Sequence, residues 1–190
     1  FKYSAGFSAE WVQEVLRSRG SRNVFDPFAG SGTTLLAADA VGIPSVGTEA
    51  HPFVARIAAA KVGWDFDIAT LRTAIDRLRA YAGSIPPPPP REPDSLIARI
   101  YTPEVCVSLD RMRFAYESLH ADWPAGIARL VWLAITGLLR ECSHAGTAQW
   151  QYVLPNKTKS ESRTRDPWNA LELALLRMIS DRAYTRENAW

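Results

Sequence analysis

The sequence predicts an α/β fold that begins with a parallel sheet and continues into a mainly helical region. Two observations predict this architecture. Strand and helix signals alternate up to about residue 65, the order that builds parallel strands joined by helical crossovers. Beyond the consecutive prolines at 86–90, nearly every segment has the periodicity of a helix. We therefore predict two regions, residues 1–65 and 66–190, and expect the run at 86–90 to be an extended surface spacer.

The first region is predicted to contain three helices and two strands. Ser8 is a suitable N-cap for the first helix, and Gly20 ends it. The apolar face of that helix consists of Trp11, Val12, Val15 and Leu16. The strands are predicted at residues 23–25 and 45–48, with a helix at 33–41 between them. Pro52 is well placed to begin the third helix, because a proline at the first helical position loses no helical hydrogen bond.

The second region is predicted to contain four helices. Asp67 caps the first, and its inner face is expected to hold Leu71, Ile75 and Leu78. Thr102 and Pro124 precede the next two, which are expected to end near residues 120 and 142. Asp166 and Pro167 begin the last. Its inner face is expected to consist of Trp168, Leu171, Leu175 and Ile179. The stretch 143–165 is too polar for a core element and is expected to be irregular.

The aromatic and acidic residues of the helices are expected to follow the faces on which they lie. Five tryptophans lie beside apolar residues and are expected in the core: Trp11, Trp64, Trp123, Trp132 and Trp168. Asp110 and Glu141 are expected to be solvated helix charges.

Composition excludes several classes of function. The 22 Lys and Arg against 20 Asp and Glu give a net charge of +2, so any surface for nucleic acid must be a local patch. Two cysteines are too few for a disulfide framework and predict a reduced, cytoplasmic location. The most apolar stretch, 127–139, is shorter than the ~20 residues that cross a bilayer, so no membrane partner is expected. His144 has only Cys142 nearby, and no metal site is expected.

The strongest motif is the run DPFAGSGTT at residues 26–34, followed by Glu49. A strand ends at Asp26, and the small residues after it let a ligand approach the backbone closely. The next helix presents its N-terminal amides to that ligand. Glu49 lies 23 positions after Asp26, at the end of the neighbouring strand, where an acidic side chain can bond a ribose diol.

Three nucleotide-binding interpretations compete for this motif. A nucleotide triphosphate loop needs a lysine after the second glycine, and Thr33 stands there. A dinucleotide fingerprint needs a third glycine where Leu35 stands, and Asp26 would place a negative charge near the pyrophosphate. The motif favours a ligand with an amine and a ribose but no phosphate, which S-adenosylmethionine fits. Asp26 would then face its methionine end, Glu49 would hold its ribose, and Ala50 with Phe53 would pack on its adenine.

The same run resembles the cofactor-binding motif of the DNA amino-methyltransferases, which methylate adenine N6 or cytosine N4. The resemblance implies a Rossmann-like S-adenosylmethionine-dependent methyltransferase half-domain. Residues 1–7 resemble the aromatic segment that these enzymes fold over the methionine end of the cofactor, and residues 143–155 look like a stretch of some modification methylases. The implied cofactor-binding residues are Tyr3, Phe7, Asp26, Phe28, Gly30, Gly32, Thr33, Thr34, Glu49, Ala50 and Phe53.

The catalytic tetrapeptide of this family, an Asp, Asn or Ser followed by Pro-Pro and an aromatic residue, does not occur in the sequence. Asp166-Pro167-Trp168 has one proline where the family has two and is better explained as a helix cap. No catalytic residue is therefore assigned in this chain. We expect it to be the N-terminal portion of a longer enzyme, with catalysis completed by the remainder of the polypeptide or by a second subunit.

One stretch has the composition of a DNA-binding loop. Residues 151–165 contain two Lys and two Arg against one Glu, a net charge of +3, and aromatic residues lie beside them. Basic side chains neutralise phosphates, and an aromatic residue can fill the gap left by a flipped base. The predicted nucleic-acid contacts are Trp150, Tyr152, Asn156, Lys157, Lys159, Arg163 and Arg165.

The resulting hypothesis is a site-specific DNA methyltransferase that acts on a base exocyclic amine within a modification system. Two alternatives stay open. One is an RNA or tRNA amino-methyltransferase, which can carry a similar loop. The other is a non-catalytic subunit that binds cofactor or DNA.

Overall fold

In the computed structural model, residues 8–92, 94–145 and 165–187 are described, and they form mostly helices with one small sheet. The elements, in chain order, are α1 (Ala9–Ser18), β1 (Val24–Asp26), α2 (Thr33–Ala40), β2 (Ser45–Gly47), α3 (Pro52–Val62), α4 (Ile68–Ser84), α5 (Leu96–Ile100), α6 (Pro103–Leu119), a 3-10 turn (His120–Asp122), α7 (Ala125–Cys142) and α8 (Pro167–Glu187).

The described chain divides into two compact units. The cofactor unit, as we name the first, contains the described residues up to Phe66 together with Ala125–Leu133 and the end of α8 from Arg177. The helical unit contains the described residues of Asp67–Pro124 and Ala134–Leu176. The beginning of α7 and the end of α8 are thus parts of the cofactor unit, although they lie far along the chain from its sheet.

The sheet of the cofactor unit consists of β1 and β2, which pair in parallel with Phe25 opposite Val46. Val24 packs on a core cluster built from α1 and α2, whose buried members are Val12, Leu16, Ala37 and Ala38. Side chains alternate between the two faces of a strand, so Phe25 and Val46 lie on the other face. Both are 65% exposed. One face of the sheet is therefore packed and the other is open.

The later segments of the cofactor unit pack on α3. Ile57 and Ala60 form a second cluster with Leu133, and Trp132 and Met178 lie against it. At the end of α8 the buried Arg182 pairs with Asp39 of α2 through Nη1 and Oδ2, although the N–H is not aligned for a hydrogen bond.

The helical unit is assembled from apolar helix faces. Leu71, Ala74, Leu78 and Ala82 are buried along α4, which packs on α6. On α6 the buried residues include Met112 and Ala115, both without exposed area. The predicted inner face of α4 is confirmed at Leu71 and Leu78, and Ile75 lies at its edge and is half-buried.

Most of the predicted element starts are confirmed. The side chains of Ser8, Asp67 and Thr102 accept hydrogen bonds from the first turns of α1, α4 and α6. The helix predicted at Pro52–Val62 has those bounds, and the strands differ from their predicted limits by one residue at one or both ends. The sequence interpretation missed α5, because a helix of five residues is too short to show a period.

Two expectations about individual side chains are wrong. Trp11 is 54% exposed, because Val12 and Leu16 define the inner face of α1 and Trp11 is turned about 100° from Val12. Asp110 is buried, and its charge is compensated there because both carboxylate oxygens accept hydrogen bonds from Arg91 Nη2 at 2.5–2.6 Å. Arg91 directly follows the mainly exposed proline run, so this ion pair fixes the end of the run to α6.

Candidate cofactor site

The side chain of Asp26 stabilises the turn that begins the loop between β1 and α2. Its Oδ1 accepts a hydrogen bond from the backbone N of Phe28 at 3.0 Å, a local turn that aspartate favours. The loop is also bonded to the segment after β2: Thr48 N donates to Asp26 O, and Ala29 N donates to Thr48 O, both at 2.9 Å. The ends of the two strands are therefore held together, and Phe28 projects from the loop with 87% of its surface exposed.

Two glycines give the loop a shape that other residues would adopt at a cost. Gly30 and Gly32 have φ of +52° and +87°, in the left-handed region. A Cβ on Gly32 would also lie 3.0 Å from Ala58 Cβ of α3. Gly32 is the N-cap of α2, so the first-turn amides at Thr33 and Thr34 follow a residue without a side chain that could cap them.

A third glycine allows β2 to lie close beside this loop. A Cβ on Gly47 would lie 2.8 Å from Ala29 Cβ and 3.1 Å from a methyl carbon of Leu35. Gly47 is the last residue of β2, two residues before Glu49. The absence of a side chain at Gly47 therefore sets how closely the segment bearing Glu49 approaches the loop.

The carboxylate of Glu49 joins the two segments. Its Oε2 accepts a hydrogen bond from Gly30 N at 3.0 Å, and its Oε1 accepts one from His51 N at 2.8 Å. A carboxylate can accept about four hydrogen bonds, so each oxygen keeps capacity for a further donor such as a ribose hydroxyl. The structure thus brings Glu49 to the glycine loop across 19 residues of sequence.

The predicted adenine-packing residues begin α3 and the turn before it. Ala50 is exposed, and Phe53 is 42% exposed. The Phe53 ring packs edge-on against Trp132, with 5.6 Å between the ring centroids, and the Arg56 guanidinium lies 4.0 Å from the Trp132 centroid. Phe53 is therefore held on one side and accessible on another. Sequence interpretation assigned Trp132 only to the core, because nothing local links it to Phe53.

The structure adds Lys61 to the loop. Its Nζ donates a hydrogen bond to Ser31 O at 2.9 Å, and burial lowers the pKa of its ammonium group. Sequence interpretation missed this residue. A signal was present, because Lys61 follows Ile57 by four positions and so belongs to the buried face of α3.

Two predicted cofactor residues, Tyr3 and Phe7, lie outside the described residues. The same is true of the predicted DNA contacts Trp150, Tyr152, Asn156, Lys157, Lys159 and Arg163. Arg165 is described, and its Nε lies 3.0 Å from Glu141 Oε2, so both charges are paired. The roles of all these residues stay predictions.

The alternative catalytic triplet at Asp166 has a structural role. Asp166 Oδ1 accepts hydrogen bonds from the backbone N of Trp168 and of Asn169, at 2.9 and 3.0 Å. The prediction that Asp166 caps a helix is confirmed.

Across residues 8–92, 94–145 and 165–187, no group of three or more His, Cys, Asp or Glu residues could hold a metal ion. In the same part of the chain, no helix is long and apolar enough to cross a membrane.

Comparison with known proteins agrees with the motif. Residues 3–60 match the family model described as DNA methylase. The type II methyltransferase M.BsoBI of Geobacillus stearothermophilus is 43% identical over 54 residues, which make up 27% of this chain and 11% of that relative. No solved structure matches the chain significantly. The predicted resemblance to DNA methylases is confirmed for this segment, and the matched part spans about a tenth of the curated relative.

Proposed function

We propose that this chain carries the cofactor-binding part of an S-adenosylmethionine-dependent methyltransferase that acts on an exocyclic amine of a DNA base. The loop from Asp26 to Thr34 with Glu49 bonded to it carries the proposal. The match of residues 3–60 to DNA methylases and the likeness to a type II methyltransferase support the acceptor class. A role in a modification system belongs to the same proposal.

The charges at the loop suit a cationic ligand. Asp26 and Glu49 are acidic and contribute carboxylates at the ends of adjacent parallel strands. Lys61 donates to Ser31 O in the same loop, so the two carboxylates exceed this one ammonium group by one negative charge. Two carboxylates favour the ammonium and sulfonium groups of S-adenosylmethionine and disfavour a pyrophosphate.

In this proposal, the residues of the loop hold and orient the cofactor. Asp26 would accept hydrogen bonds from its amine, and Glu49 from its ribose hydroxyls. Gly30 and Gly32 would leave room for it, while Ala50 and the accessible part of Phe53 would contact its adenine. When bound, S-adenosylmethionine supplies an electrophilic methyl group. Tyr3, Phe7, Phe28, Thr33 and Thr34 are proposed to complete the site.

We further propose that β1 and β2 belong to a larger Rossmann-like sheet. Parallel sheets are normally covered on both faces, yet Phe25 and Val46 are each 65% exposed on one face. The rest of a catalytic domain would cover them. The groups that polarise the target amine are proposed to come with that part, either from the same polypeptide or from a second subunit, in a cytoplasmic enzyme.

Calorimetric titration with S-adenosylmethionine tests the cofactor site. We expect saturable binding to the chain, and affinity roughly tenfold or more lower in Glu49→Gln, because hydrogen bonds to a charged group contribute about 1.5–3 kcal/mol. Glu14→Gln is the matched control, an exposed acid on α1 of the same unit. No saturable binding, or equal affinity in Glu49→Gln and Glu14→Gln, would contradict the proposal.

A transfer assay identifies the acceptor. With radiolabelled cofactor, we expect no transfer by the chain alone, and transfer to duplex DNA once the segment with the Pro-Pro-aromatic motif is joined or added. Transfer to tRNA and none to DNA would favour the RNA alternative. Cofactor binding without transfer to either acceptor would favour a non-catalytic subunit.

A further inference from the structure

A second concave surface lies in the helical unit, formed by α4, α6 and the start of α8. Its volume is about 580 Å³. The polar, charged and aromatic residues that line it are Arg79 from α4, Glu104, Ser108 and Arg111 from α6, and Trp168 from α8. We call this surface the arginine groove. None of its residues belongs to the cofactor loop.

Arg111 contributes a guanidinium group to the lining of the groove. Its side chain is half-buried, and its Nε is buried without a hydrogen-bond partner in the described part of the chain. The planar guanidinium suits the oxygens of a phosphate.

Arg79 and Trp168 also line the groove. The Arg79 guanidinium lies over the Trp168 ring, 5.4 Å from its centroid. Stacking on the face of a guanidinium leaves its N–H edge available for an anion. Asp166 fixes the backbone of Trp168 by the helix cap described above, so the aromatic wall is held in place.

Three arginines of the helical unit that lie outside the arginine groove are paired with carboxylates. Arg91 pairs with Asp110, Arg113 with Glu117, and Arg165 with Glu141. Arg79 and Arg111 have no carboxylate partner among the residues described for this unit. Together with Glu104, which also lines the groove, the two arginines give it a net charge of +1.

We infer that the arginine groove binds a phosphate of a DNA backbone, with the N–H groups of Arg79 and Arg111 and the Ser108 hydroxyl as donors and the adjoining deoxyribose against Trp168. The choice of DNA as the polyanion rests on the proposed function. The contact is one of position and not of base readout, because phosphates carry no direct sequence information.

Fluorescence anisotropy with a labelled duplex, measured from 50 to 200 mM salt, tests the inference. One phosphate contact contributes about 0.9 to the slope of log affinity against log salt, and Arg79 and Arg111 share that contact. Arg79→Gln and Arg111→Gln should therefore each lower the slope, by at most about 0.9. Arg113→Gln is the matched control, an arginine of the same helix already paired with Glu117, and should keep the slope. Glu104→Gln should increase affinity at low salt, because it removes the negative charge from the groove.

The outcomes separate this inference from the cofactor proposal. No binding of the duplex, an unchanged slope in Arg79→Gln and Arg111→Gln, or an equal loss in Arg113→Gln would overturn the groove. Because Arg79 is exposed, its variant keeps the test valid even if replacement of Arg111 disturbs folding. If the protein binds the duplex through these arginines but does not bind S-adenosylmethionine, only the cofactor proposal is overturned.

Discussion

The cofactor loop and the arginine groove present polar groups to ligands in different ways. In the loop, Asp26, Glu49 and the backbone N of Gly30 come from two short segments at the ends of paired strands, and hydrogen bonds of 2.8–3.0 Å hold them. The groove is lined by Arg79, Arg111 and Trp168, which belong to three different helices. In the sequence, Arg79 and Arg111 are 32 residues apart, and Arg111 and Trp168 are 57 residues apart. The shape of the loop depends on the backbone angles that glycine permits, whereas the arrangement of the groove residues depends on how the helices pack. Substitutions should therefore damage the two sites by different routes.

The largest effect on stability is expected in the packed helices. Leu78 has no exposed area on α4, so Leu78→Ala should lower the free energy of unfolding by about 3 kcal/mol through lost burial and a cavity. Ile68→Ala on the same helix is the control, because Ile68 is 46% exposed. Chemical denaturation measures both. Equal losses in the two variants would show that α4 does not derive its stability from this face.

A smaller loss of stability, with a larger loss of cofactor binding, is expected in the loop. Gly32→Ala places a side chain at φ +87° and 3.0 Å from Ala58 Cβ, which should cost about 1–2 kcal/mol. Gly137→Ala is the control, since a Cβ there meets nothing within 4 Å and alanine favours a helix by about 0.5–1 kcal/mol. Thermal unfolding and cofactor titration measure the two effects. A stabilised Gly32→Ala variant with normal cofactor affinity would contradict the role assigned to the loop shape.

The smallest effect is the pH dependence contributed by Lys61. Burial lowers the pKa of this group in the folded state below its ordinary value of 10.5, so the unfolded chain binds more protons between the two pKa values. The contribution of Lys61 to stability should therefore be largest above 10.5 and be lost as the pH falls through the folded-state pKa. The melting temperature of the protein relative to Lys61→Met should rise as the pH approaches 10.5. A constant difference would contradict the burial of a charged Lys61.

Local sequence was sufficient for parts of the molecule that local interactions control. Ser8, Asp67 and Asp166 were predicted as caps and have that role, because a cap bonds amides only two or three residues away. Trp11 and Asp110 were misassigned. Trp11 was assigned to the core because a helical period locates the inner face of a helix only to within about one residue. Asp110 was assigned to the surface because its partner, Arg91, lies 19 residues away in the sequence.

The sequence by itself determined the loop shape and the segment matched by DNA methylases, because glycines with positive φ, an Asp turn and caps are set by residue type and near neighbours. Only the tertiary structure decided which residues surround those features. It brought Lys61 to Ser31 and Trp132 to Phe53, and it gathered Arg79, Arg111 and Trp168 into one groove. These contacts join segments about 30 to 90 residues apart. They depend on how apolar helix faces pack, which no local pattern of residues specifies.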